Sequence, residues 1–139
     1  MNDPTQIPFS FPSVERKKVI ADFDGGRLTS DGGVMLLSVA DKQIGIVDRL
    51  ARLFPDRRDP SRITHAVADM LRARIFAIAC GYEDADDLDH LRSDPAFKLA
   101  CGRLPDTGDD LCSQPTLSRL ENAPNLRDLI HLGYALVDA

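Results

Sequence analysis

Residues 62–80 constrain the fold of this chain more than any other stretch. Apolar side chains recur there at helical spacing, and Gly81 stops the run. On a wheel of about 100° per residue, Ile63, Val67, Met70, Leu71, Ile75 and Ile78 make one wide apolar face, opposite His65, Asp69 and Arg72. Such a face must be buried, so the chain needs further elements to cover it. Arg74 falls within this face. A buried guanidinium without a partner is very costly, so the sequence predicts a carboxylate beside it. The acids just beyond the helix, Asp86 and Asp87 among them, are the nearest supply. The competing expectation is that Arg74 runs its stem along the apolar edge and reaches water. Both readings make Arg74 part of the architecture.

The covering elements read as helices too. Ser30-Asp31 offers an N-cap ahead of Val34–Ala40, and Ile46, Val47, Leu50, Leu53 and Phe54 share a helix face that ends before Pro55. Asp59-Pro60-Ser61 looks like the start of the 62–80 helix. The acids from Glu83 to Asp87 suit the N-terminus of a short helix that stops near Pro95, and a further short helix ends at Gly102. After a polar loop over 103–113, Pro115 opens a helix through Asn122. Asn125 then caps a last one with Leu126, Leu129, Ile130, Gly133, Leu136 and Val137 on one face. The convincing β signal is Lys18–Asp24, with Gly25-Gly26 as its turn and Arg27–Thr29 as a short return strand. The expected fold is therefore mainly α: about six helices preceded by a short N-terminal β-hairpin, over residues 18–139, after an extended arm at 1–17.

No apolar run approaches the roughly 20 residues that span a bilayer. The basic residues near the N-terminus follow the apolar ones, the wrong order for a secretory signal, so a cytoplasmic chain is expected. Three cysteines without a C-x-x-C pair indicate neither a disulfide framework nor a zinc knuckle. The net charge of −5 matters more. A chain that binds DNA mainly by neutralising phosphates shows a basic excess, so any DNA contact here has to come from a local patch.

Four segments carry a family resemblance: Leu28-Thr-Ser-Asp-Gly-Gly33, Ala79-Cys-Gly-Tyr-Glu-Asp84, Asp86-Asp-Leu-Asp-His-Leu-Arg-Ser-Asp-Pro95 and Ser113-Gln-Pro-Thr-Leu-Ser-Arg-Leu-Glu-Asn122. In this order they resemble the N-terminal region of the group 1 DDE-domain transposases of bacterial insertion sequences. The resemblance implies a protein that recognises the inverted repeats of its own element. It also implies an RNase H-like core whose three carboxylates hold divalent magnesium for cutting and joining DNA. In that family the first catalytic aspartate follows the last helix seen here. The expectation is thus a fragment without the catalytic core, without catalytic residues and without a cofactor of its own. DNA is the implied partner, a homodimer is a further option, and no membrane is involved. A structural domain with little DNA contact, or the inactive remnant of a decayed element, are the rival readings.

Several residue sets invite chemistry. Asp22 and Asp24 point the same way from a strand and could share a metal, although Asp24-Gly25-Gly26 is also ordinary turn chemistry. Asp86 and His90 share a helix face by their spacing, but acids also gather at helix N-termini without any ligand. Among the basic residues Arg49, Arg52, Arg57, Arg58 and Arg62, Arg57 and Arg58 are the candidates for phosphate contacts, against the plainer reading of a solvated helix end. Gln114, Thr116, Ser118 and Arg119, near the start of a Pro-opened helix, are the candidates for reading bases. Gln suits adenine and Arg suits guanine. A capped connecting helix with Leu117 and Leu120 inward explains the same residues equally well.

Overall fold

The computed structural model describes residues 9–21 and 29–138. Within them, an antiparallel hairpin precedes seven α-helices. The hairpin pairs β1 (Phe9–Val14) with β2 (Lys17–Ala21), so its first strand lies inside the segment expected to be an extended arm. Its turn is Glu15-Arg16, and both residues take positive φ, 48° and 65°. Two left-handed residues match the twist of a two-residue hairpin, but that conformation normally calls for Asn or Gly. The usual sequence signal is therefore missing, and attention goes to Gly25-Gly26 instead. Residues 22–28, which hold that expected turn, lie outside the described residues.

α1 (Val34–Ile44) and α2 (Ile46–Leu53) are separated by Gly45, whose φ of 71° ends one helix and begins the next. The long helix expected from residue 62 is divided. A short 3-10 turn at Pro60–Arg62, capped by Asp59, is followed by extended backbone, and α3 runs only from Val67 to Ala79. The His65 carbonyl, which an unbroken helix would use internally, accepts a 2.8 Å hydrogen bond from Arg58 Nη1 instead. The buried face also differs from the expected one. Val67, Met70, Ala73, Phe76 and Ala77 are buried, while Ile63 and Ile78 are exposed.

α4 (Leu88–Leu91), α5 (Pro95–Ala100) and α6 (Gln114–Glu121) complete the core around α3. Phe97 is fully buried and meets the Tyr82 ring edge-on, 6.3 Å between centroids. The 101–113 loop is polar in sequence yet well tied. Buried Lys98 donates to the carbonyls of Pro105 and Gly108 at 3.0 and 2.7 Å, and Leu111 N–H donates to the Arg92 carbonyl. A Cβ on Gly108 would lie 2.6 Å from the Leu104 carbonyl oxygen, so the loop closes only around a glycine there. α7 (Leu126–Val137) carries the expected cap, in which Asn125 and Asp128 exchange side-chain bonds with each other's backbone N–H. It packs on α2 yet buries none of its residues fully. Among the described residues no helix is long and apolar enough to cross a membrane.

Candidate nucleic-acid interface

The segments that carry the family resemblance hold one another in place. Thr29 Oγ1 donates to Asp94 at 3.0 Å, and the Tyr82 hydroxyl donates to Asp31 at 2.8 Å. Asp94 also caps α5 through the N–H groups of Ala96 and Phe97. Asp89, in the first turn of α4, reaches α6: its carboxylate accepts the Gln114 N–H at 3.0 Å. An acid at that helix start satisfies a free donor and meets the positive end of the helix dipole. α6 is thus fixed at its first residue by α4 and along its length by the burial of Leu117 and Leu120.

Arg74 pairs with α6 rather than with the acids beyond α3. Its Nε lies 2.7 Å from Glu121 Oε1, and its Nη2 donates to the Glu83 carbonyl at 3.0 Å. The expected partners Asp86 and Asp87 make no ion pair with Arg74; Asp86 precedes α4, and its N–H donates to the Asp84 carboxylate. Arg74 Nη1 is buried without a hydrogen bond. The more thoroughly paired arginine is Arg72, placed by the sequence on the polar strip. Its Nε and Nη2 lie 3.1 Å from Asp41 and Asp48, and Asp69 stands 3.8 Å from Nη1. Asp41, 6% exposed, also accepts the Val47 N–H with its other oxygen, standing in for a cap of α2. This knot joins α1, α2 and α3.

A cleft of about 470 Å³ opens between the 55–65 segment and α6. Arg57, Arg58, Arg62 and Arg119 line it against a single acid, Asp56, with Thr64, His65 and Thr116 as its polar neighbours and Met70, Leu120 and Ala123 as apolar wall. Arg58 is committed to the loop. Its Nε and Nη2 grip the two Asp56 oxygens at 2.8 Å each, holding the Asp56 carboxyl below its ordinary range. Arg57 and Arg119 are exposed and have no ion pair or hydrogen-bond partner among the described residues. Arg62, almost wholly exposed, stands 3.8 Å from Asp59. The wider basic cluster divides here, because Arg49 turns away to the Asp138 carbonyl.

The four residues considered for base reading divide as well. At about 100° per residue, Gln114 and Ser118 share one flank of α6 while Thr116 and Arg119 share the other. Gln114 Nε2 donates to Ser118 Oγ at 2.9 Å, which occupies both. Thr116 and Arg119 line the cleft. His65, on the polar strip by its spacing, also lines the cleft. Its Nδ1 lies 3.1 Å from Arg103 Nη2. A guanidinium can only donate, so Nδ1 accepts and the neutral ring keeps its proton on Nε2. Burial, then the Arg103 charge, push His65 below its ordinary value of 6.5.

Burial pushes the thiols of Cys101 and Cys112 up to about 12 and about 11. Among the described residues no group of three His, Cys, Asp or Glu side chains is placed to hold a metal. Asp22 and Asp24 lie outside those residues. The divalent metal implied by the resemblance finds no fitting ligand set among them.

Among the described residues, the site is an arginine-lined cleft in a helical domain that follows a short hairpin. The chain belongs to the transposase DDE domain group 1 family, whose model matches residues 11–139. No curated protein and no solved structure matches it.

Proposed function

We propose that this chain is the N-terminal helical part of an insertion-sequence transposase, acting in the bacterial cytoplasm, and that its cleft holds the transposon-end DNA. The cut-and-join chemistry would be done by a metal-bearing core outside the described residues. The observation that carries this reading is the convergence of Arg57, Arg62 and Arg119 on one cleft. Two of these have no partner of their own, so a phosphate can take them without breaking an ion pair. A net charge of −5 is compatible with such a site because Asp56 is the one acid that lines the cleft, against four arginines.

Anisotropy titration of a duplex carrying the element's inverted repeats tests the reading. Arg57→Ala with Arg119→Ala should weaken binding at least about tenfold and lower the salt slope by about 2, one counterion-release step per lost contact. Unchanged affinity and slope would remove the cleft from the interface. A second reading, an interaction or dimerisation domain with little DNA contact, is favoured by α7. Leu126, Tyr134 and Val137 there are 75%, 67% and 83% exposed. That reading gains if the parent chain itself shows no measurable affinity for the duplex.

A further inference from the structure

The shape of the cleft asks for more than a phosphate. Paired DNA presents a broad convex surface with a major groove about 12 Å wide. Laid across this site, it would meet the exposed Arg57, Arg62 and Arg119. The interior measures about 470 Å³, within the range of sites that enclose a small molecule. Its lining is mixed in character. Arg57, Arg62 and Arg119 supply positive charge, Thr64 and Thr116 supply hydroxyls, and Leu120, Ala123 and Met70 supply apolar wall. His65 adds an imidazole whose orientation is set by Arg103 through Nδ1. Its Nε2–H is left as a donor without a partner among the described residues. Imidazole faces and arginine planes are surfaces on which unstacked bases rest.

We propose that this cleft takes one unpaired nucleotide of the bound DNA, its phosphate on Arg57 and Arg119 and its base against Leu120, Ala123 and the His65 ring. This rests on the reading that the arginine rim binds DNA. A base that is already unpaired enters without the cost of breaking its pair and its stacking, so the site discriminates by pairing state rather than by sequence. The rigidity of the walls supports the assignment. Arg58 braces one wall through Asp56 and the His65 carbonyl, and Asp89 with the buried leucines fixes the other.

The test uses the whole chain and two duplexes of one sequence, one fully paired and one with a single extrahelical 2-aminopurine. Anisotropy gives each affinity, and 2-aminopurine emission reports the environment of the unpaired base. The parent chain should bind the bulged duplex about tenfold more tightly, equivalent to about 1.4 kcal/mol, with a change in emission on binding. Ala123→Phe fills the cleft from the α6 side and Thr64→Phe from the opposite wall. In either folded variant, checked by circular dichroism, the ratio of the two affinities should fall to about one. Equal binding of both duplexes by the parent, or a preference that survives both fillings, overturns the inference and leaves the DNA reading intact. If neither duplex binds, the DNA reading falls and the inference falls with it.

Discussion

The Arg72 knot and the rim of the cleft are built from the same side chain and put it to opposite uses. Arg72 is enclosed by Asp41, Asp48 and Asp69 and ties three helices together. Arg57 and Arg119 stand exposed, with no such partners among the described residues. Arginine becomes architecture where carboxylates from several elements converge, and remains available for a ligand where they do not. The comparison also explains why a chain with 22 acidic and 17 basic residues can offer a positive site. Several of its acids serve the knot, caps and loop closure, as Asp41, Asp94 and Asp56 do, and the cleft is lined by one acid.

The largest effect expected from the comparison belongs to the knot. Arg72→Ala strands the buried carboxylate of Asp41 and should destabilise the fold by about 3 kcal/mol, as removing one partner of a buried pair does. Urea denaturation of the two proteins measures it. A midpoint within error of the parent would mean that Arg72 is no more structural than a rim arginine, and the contrast would collapse. Arg74→Ala is an intermediate case. Arg74 is well covered, but its partner Glu121 is 41% exposed on its side chain, so water can solvate the carboxylate left behind. The same experiment should show a loss of about 1 kcal/mol. A loss as large as that of Arg72→Ala would show that covering the arginine alone decides the cost, whatever the exposure of its acid.

Much of this was legible in the sequence, and the failures have physical causes. The helices over 34–44, 46–53 and 126–137 follow from periodicity and breakers, and the last also from its cap. The Ser30-Asp31 cap expected for the first is not formed, since Gly33 stands at that end without a side-chain cap bond. The break at residues 63–66 was not legible. It depends on Arg58 reaching the His65 carbonyl, a contact with no sequence signature. The hairpin turn escaped because Glu15 and Arg16 occupy a conformation that Gly or Asn would advertise. In the cleft, Arg57, Thr116 and Arg119 were chosen one segment at a time. Their convergence depends on how α6 sits on α3, which one-dimensional spacing does not encode. Gln114 and Ser118 were grouped with them because four nearby polar residues look alike until the helix is turned. A wheel applied to α6 would have separated them.

The smallest effect concerns the point where the two regions meet. Asp69, the outer acid of the knot, lies 3.7 Å from Arg103 Nη2, and the same nitrogen faces His65 Nδ1 in the cleft. A proton on Nδ1 would destroy that hydrogen bond and set two cations together. Because the folded chain holds His65 below its ordinary value of 6.5, chiefly by burial and then by Arg103, the unfolded chain binds the proton more readily. Stability from this site is therefore complete above about pH 6.5 and is lost as pH falls through the lower folded value. Asp56 and Asp59, held below their ordinary 3.8, act in the same direction but only at more acidic pH, so the windows separate. Denaturation midpoints taken from pH 7 down to pH 4.5 should decline in the parent and decline less in His65→Gln, which keeps a hydrogen-bonding group there but cannot titrate. The difference should be smaller than either arginine effect, since His65 is only half-buried and water can share the charge. Parallel pH profiles would detach His65 from Arg103 and leave the knot and the cleft as independent neighbours.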